Sequence, residues 1–324
     1  MREWKSLPLG IDLGSTRARL ACAEVNREGN VRIRAIVARD VPHDAVTLEV
    51  EQPELVAAVI DEMVAEIGSR ERRCVLSIGA PACVLRTVRF PRMSWPERIR
   101  ASRFEARRFA GWDVDDVTSV VRLHPFDRAA GTFAIGVARA PSIDSRVRAV
   151  RMAGLRAVAV DHDAFAMRRL FADCDAIVDV GAERSTLHCF GAAGPSSLVA
   201  HAGGAAITRG IAAELSIDVQ TAERRKRILG CAGAGITARD EVVAAIGSLI
   251  DRARGRATIE RIAVTGNGSR LPNFARALEE STGAVAEIPV PDVLHLSAYP
   301  EDVVRAAAPD WALAASLALW GAAA

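Results

Sequence analysis

The chain has 324 residues, of which 50% are hydrophobic and 25% charged. This composition excludes a disordered polypeptide and suits a folded one, long enough for two domains or one large split one. With 42 basic against 40 acidic residues, the net charge of +2 is too even for a protein whose main partner is nucleic acid.

The first stretch, "MREWKSLPLGIDLG", lacks the apolar core of a signal peptide, so a cytoplasmic protein is expected. "PLGIDLG" and "TRARLACAEV" predict two strands around a tight turn, and "VRIRAIVARDV" a third. "QPELVAAVIDEMVAEIG" has helical spacing, with Leu55, Val59, Met63 and Ile67 on one stripe. "CVLSIGA" reads as a short buried strand broken by Pro81. Residues 84–160 then read as an inserted module in the order β-α-β-β-α-β. Its strands are "VLRTVRFP", "VTSVVRLHPF", "GTFAIGVARA" and "LRAVAVD". Its first helix, "SWPERIRASRFEARRFAG", has Ser94 as N-cap, Pro96 early and Gly111 beyond its end; the second is "SIDSRVRAVRMAG".

After the insert the chain restarts. "DAIVDVGAERSTLHCFG" repeats the design of "LGIDLGSTRARLACAEV": an apolar strand ending in Asp-x-Gly, hydroxyl residues, and another apolar strand. Asp12 and Asp179 mark the two copies, which predicts a duplicated α/β fold. "GGAAITRGIAAELSI" and "TAERRKRILG" follow as helices, and "IERIAVTGNGSRLPNFARALEESTG" as strand, glycine turn and helix. The uncharged tail "WALAASLALWGAAA" is too short to span a bilayer and reads as a packed helix. The six cysteines, Cys22, Cys74, Cys83, Cys174, Cys189 and Cys231, have no CxxC spacing, and buried reduced thiols are expected.

An Asp-x-Gly turn aims backbone N–H groups outward, and Ser or Thr adds hydroxyl donors, which makes an anion cradle. The carboxylate beside it suits a hydrated Mg²⁺. One such turn is most often structural; two, followed by the glycine turn "TGNGSRLP", would place phosphates between two halves with the third turn over a base. No Walker A loop, strand-to-helix G-x-G-x-x-G or serine nucleophile elbow is present. Forty of the basic residues are arginine, and the two lysines are Lys5 and Lys226. Lys226 is either chance at a solvated helix position or a site that needs a compact ammonium.

"GIDLGSTRARLA", "VDVGAERSTL", "TAERRK" and "VTGNGSRLPNFARAL" resemble, in order, the phosphate-1, phosphate-2, adenosine and second adenosine motifs of the actin-like ATPase superfamily. The insert stretches "VRFPRMSWPERIRASRFEARRFAGWDVDDV" and "FAIGVARAPSIDSRVRAVRMAGLRAVAVDHDAFAM" resemble the PilM family of type IV pilus assembly proteins, and more distantly the FtsA family. The resemblance covers nearly the whole chain. It implies a duplicated actin-like (ribonuclease H-like) α/β fold: subdomain 1A at 1–83 plus 161–175, an inserted α+β subdomain 1C at 84–160, and subdomain 2A at 176–324 with a reduced 2B at about 216–260. The cofactors it implies are ATP and Mg²⁺. Asp12 and Asp179 would face the metal. Gly14, Ser15 and Thr16 would wrap the phosphates from one side, with Arg19 where relatives carry a lysine, and Gly181 and Ser185 from the other. Gly203 and Gly204 would lie beside the phosphates, Glu223 and Lys226 would hold adenosine, and Gly266, Gly268 and Ser269 would cover the base. Asn267 replaces a usual third glycine and is expected to tolerate a left-handed turn.

The resemblance implies a partner: the cytoplasmic tail of an inner-membrane PilN-like protein, in a pilus or related secretion machine. An FtsA-like filament or membrane-recruitment protein is the alternative, and a sugar or acid kinase a third. No water-activating base is evident, so ATP hydrolysis is expected to be slow at most.

Overall fold

The computed structural model describes residues 4–42, 44–112, 119–127, 131–191, 194–294, 296 and 299–322. Residues 113–117, the end of the first insert motif quoted above, lie outside them. Two compact units are present: unit 1 is Met1–Leu170, Phe190–Ser197 and Leu313–Ala324; unit 2 is Phe171–Cys189 and Leu198–Ala312.

The elements of unit 1 begin with β1 (Lys5–Ser6), β2 (Leu9–Leu13), β3 (Arg17–Val25), β4 (Val31–Asp40), α1 (Pro53–Ile67) and β5 (Arg73–Ile78). The insert supplies β6 (Cys83–Arg89), α2 (Trp95–Arg107), β7 (Ser119–Asp127) and β8 (Thr132–Arg139). Then come α3 (Ala140–Met152), β9 (Arg156–His162) and α4 (Asp163–Arg168). The second copy runs β10 (Ala176–Val180), β11 (Ser185–Gly191), β12 (Gly194–Ala200), α5 (Gly204–Leu215), α6 (Val219–Leu229), α7 (Ile236–Arg254), β13 (Arg261–Thr265), α8 (Phe274–Thr282) and β14 (Val285–Glu287). Helix α9 (Glu301–Ala318) closes the chain.

The duplication is visible in the pairing. The strand path β4-β3-β2-β5-β9 of one sheet is matched by β12-β11-β10-β13-β14 of the other. In each, an antiparallel hairpin is followed by two strands added in parallel. Asp12 stands opposite Arg19 and Asp179 opposite Thr186, so the two hairpins share one register. Both cores are the apolar faces this pattern predicts. Ile11, Leu20, Ile60, Met63 and Leu76 are fully buried in unit 1; Ile177, Leu187, Ile207, Ile262 and Phe274 are in unit 2.

Two expectations are corrected here. Helix α1 buries Val56, Ile60, Met63 and Val64, whereas Leu55 is 47% exposed. Of the expected stripe, Met63 is fully buried and Val59 and Ile67 pack against the core, so Leu55 alone falls outside it. Strand β9 pairs in parallel with β5, so the small layer of the insert holds three strands, in the order β6-β8-β7. Helix α3 and β9 occupy the places that α8 and β14 fill in the second copy.

All six cysteines are reduced thiols, and burial pushes Cys74, Cys83 and Cys189 up to about 12, which makes them inert. His162 is the N-cap of α4: its Nδ1 accepts the Ala164 N–H at 3.1 Å. Burial lowers its pKa from 6.5 to about 4, against the opposing charge of Asp161. The folded state therefore refuses a proton that the unfolded chain takes up below pH 6.5. Stability should fall on acidification across that window, by at most about 1.4 kcal/mol per pH unit. His162→Asn keeps a capping oxygen and should flatten the slope in urea titrations between pH 6.5 and 4; an unchanged slope would assign it to other groups.

Candidate nucleotide site

Unit 1 presents the first turn. The Gly14 N–H donates to Arg17 O at 3.0 Å, which closes the hairpin and leaves Ser15 half-buried and Thr16 exposed at the tip. The Arg19 guanidinium donates to Asp12 Oδ2 at 3.0 Å and to Arg17 O at 3.0 Å. Both side chains of this ion pair are largely buried, at 11% and 14% exposure. Arg19 thus holds the expected metal ligand instead of projecting from the strand by itself.

Unit 2 presents the second turn with the same closure, Gly181 N–H to Arg184 O at 2.9 Å. The shared register shows which positions correspond. Ser15 and Thr16 match Ala182 and Glu183, while Ser185 matches Ala18 on the strand. Ser185 is accordingly fully buried, and its hydroxyl donates to Ala202 O at 2.7 Å. It braces the loop before α5 and has no free face for a phosphate. The second turn carries an exposed acid, Glu183, where the first carries a hydroxyl.

The loop before α5 lies directly on this turn. The Gly204 N–H donates to Gly181 O at 2.9 Å and the Ala205 N–H to Ala182 O at 2.8 Å. A Cβ on Gly203 would stand 2.6 Å from both of those carbonyl oxygens, so only glycine fits there. At Gly204 a Cβ would have neighbours at ordinary contact distances: Lys226 Nζ at 3.5 Å, Gly181 O at 3.7 Å and Gly268 Cα at 3.9 Å. Four stretches far apart in sequence converge at this point.

Lys226 is no solvated decoration. Its side chain is 12% exposed, and its ammonium contacts Gly204 O at 2.8 Å, Thr208 Oγ1 at 2.6 Å and Glu223 Oε2 at 2.7 Å. Three donors meet three oxygens, a match suited to a compact ammonium. Glu223 also accepts from the Thr208 hydroxyl at 2.5 Å and from Arg227 at 3.0 Å. Burial raises its pKa, but the bonds from Lys226 and Thr208 and the Lys226 charge outweigh that and hold the carboxyl below its usual value. Thr208 was not among the expected residues. Its signal was its place one helical turn beyond Gly204.

The third turn approaches the Asp179 strand. Gly266 has φ +83°, and a Cβ there would come within 2.4 Å of Asp179 Oδ1 and 2.5 Å of Val180 O. The Gly266 N–H donates to Pro309 O at 2.9 Å. Ser269 is fully buried, and its hydroxyl donates to Gly266 O at 2.7 Å. Asn267 does not use the expected left-handed backbone; it starts a 3-10 turn, Asn267–Arg270, and the left-handed residue is Asn273, at φ 62°.

In unit 2 the residues expected at a nucleotide, Gly181, Gly203, Gly204, Glu223, Lys226 and Gly268, meet in one place. A divalent cation fits less well. Asp12 already carries the Arg19 guanidinium, and among the described residues no three His, Cys, Asp or Glu side chains gather to hold a metal.

The two matched sheets, each headed by a glycine-turn hairpin, define an actin-like α/β fold. A solved structure described as "PilM-PilN type IV pilus biogenesis complex" shares it, with a TM-score of 0.85 and 24% identity over 98% of this chain and 99% of that one. The ethanolamine utilization protein EutJ from Carboxydothermus hydrogenoformans does so at a TM-score of 0.62 and 14% identity, over 98% and 90%. The model of the family "Type IV pilus assembly protein PilM" matches residues 10–233, and the chain belongs to that family. The model of the cell division protein FtsA matches residues 176–317. No curated protein matches the chain. Among the described residues no helix is long and apolar enough to cross a membrane.

Proposed function

We propose that this chain is a cytoplasmic, nucleotide-binding component of a type IV pilus or related secretion machine, which docks the tail of an inner-membrane PilN-like protein. Family membership supports the machine, and the described complex of similar fold supports the kind of partner. The observation that carries nucleotide binding is the convergence of Gly181, Gly204, Lys226 and Gly268 within unit 2.

In this reading ATP supplies a triphosphate and a base. Gly203 and Gly204 keep the turn free of side chains, Glu223 and Lys226 take the adenosine, and Gly266 to Ser269 close over it. In unit 1, Ser15, Thr16 and Arg19 offer donors to phosphate. Asp179, and Asp12 to the extent that it can share its carboxylate with Arg19, would hold a hydrated Mg²⁺.

Titration calorimetry tests both halves of the proposal. ATP is expected to bind in preference to GTP, and a peptide carrying the cytoplasmic tail of a PilN-like protein from the same genome is expected to bind as well. Silence at millimolar ATP would remove the nucleotide from this reading; silence with the peptide would remove the docking role. The acid at the second turn gives a sharper check. Glu183→Thr restores the residue type of the first turn and removes a like charge from beside the phosphates. It should tighten ATP binding by about 0.5–1 kcal/mol, the scale of an exposed charge pair. Weaker binding would show that the acid, and its 3.7 Å pair with Arg209, organises the turn.

The FtsA-like alternative draws on the match over residues 176–317, which lies almost wholly in unit 2. It supports the nucleotide-binding unit and adds nothing specific to filament formation.

A further inference from the structure

The insert carries a charge that the chain as a whole does not. Residues 84–139 hold eleven arginines against six carboxylates, a net +5, in a protein whose total is +2. Much of that charge lies on α2. Its inward face centres on Ser102 and Ala106, both buried, flanked by the half-buried Arg98, Ile99, Ala101 and Glu105; Arg100, Arg103, Phe104, Arg107 and Arg108 are exposed. Phe104 is 62% exposed, the second most exposed large hydrophobic residue among those described. At 3.6 residues per turn, Arg100, Arg103, Phe104, Arg107 and Arg108 fall within an arc of about 140°, with Glu97 the one acid among them. Arg108 pairs with Glu105 at 3.1 Å, at 71% exposure, a bond too exposed to cancel the field.

From this we infer that α2 is a docking face for an anionic lipid surface. A single exposed ring is ordinary on a protein surface; its place among the guanidinium groups is what makes this face both apolar and cationic. At a bilayer surface the ring enters the headgroup layer while arginines meet lipid phosphates, which their planar forks match. The face is the outer side of a helix. A peptide partner would call for a groove or a sheet edge, whereas a bilayer needs only the exposed length. Charge complementarity and the ring's place among the arginines therefore favour lipid over an acidic protein segment.

The test is co-sedimentation of the full chain with vesicles of phosphatidylglycerol and phosphatidylcholine in equal parts, against vesicles of phosphatidylcholine alone. Binding is expected to the first and not the second, and to weaken steeply when salt is raised to about 0.5 M. Near an anionic surface one arginine is worth about fivefold in partitioning, so Arg100→Gln with Arg103→Gln should lower it roughly 25-fold. Phe104→Ser should weaken it independently of salt. All three positions are exposed, so thermal unfolding should be unchanged, which separates lost binding from lost folding. Equal binding to both vesicles, or none to the anionic ones at low salt, overturns the inference. So does a double-arginine variant that binds vesicles like the parent, or one that instead loses affinity for the PilN-like tail peptide.

Discussion

Replacing Gly10 by alanine is expected to destabilise unit 1 by about 3 kcal/mol or more, the upper range for overpacking. Gly10 lies on β2, where α9 crosses it. A Cβ there would stand 2.1 Å from Ala314 O and 2.4 Å from Ala318 N. Both obstacles are backbone atoms, so no side chain can rotate away, and α9 itself has to lift. That would open the packing of α9 on this face of β2, where Ala314, Leu317 and Ala318 are all fully buried. Gly136→Ala on β8 is the matched control, because its nearest neighbour would be Cys83 Sγ at 4.0 Å. Urea unfolding followed by circular dichroism should separate the two variants clearly. If Gly10→Ala unfolds at the same midpoint as Gly136→Ala, the close approach of α9 is wrong.

The second large effect is expected at Lys226. Read from its position, Lys226→Arg is a conservative change on a helix; read from its contacts, it is not. The ammonium serves three oxygens that converge on one point, which a planar fork cannot do. Lys226→Arg should cost about 1–2 kcal/mol, and Lys226→Met about 2–3 kcal/mol, since it also strands the Glu223 carboxylate. Those figures allow for Glu223 being 30% exposed. Because its carboxyl is held below 4.5, this contribution is present above that pH and fades as pH falls through the lower folded value. It is therefore distinct from the His162 window, which begins at 6.5. Both substitutions should also weaken ATP binding if the clip holds adenosine. A Lys226→Arg protein within about 0.5 kcal/mol of the parent, with equal ATP affinity, would return the residue to helix decoration.

The repeated hairpins were readable because their signal is local: alternating apolar residues, an Asp-x-Gly turn, then a second strand. The resemblance to the PilM family rested on longer stretches and held for the family and the fold. What the residues did not reveal was register. "GAERST" offers its hydroxyls to the eye at Ser185 and Thr186, yet the pairing places them on the strand and puts Ala182 and Glu183 at the tip. A shift of two or three residues is invisible to composition and decisive for chemistry. The same holds for β9, whose partner β5 lies beyond the whole insert. Arg19 was legible as a cation near a turn; that Asp12 would claim it depended on cross-strand pairing. The Lys226 clip needed Thr208, brought in from another helix.

Helix α9 gives the order of synthesis a physical consequence. Strand β2 leaves the ribosome long before the helix that covers its Gly10 face. Unit 1 includes Leu313–Ala324, so it cannot be completed until that segment has been made, whereas every residue of unit 2 precedes Leu313. The half that is begun first is thus finished second, and the nascent chain must carry β2 without that cover until α9 has been made. A protease cut just before Leu313 would detach the part of α9 that packs on Gly10 and leave that face of the strand bare, a state prone to aggregate.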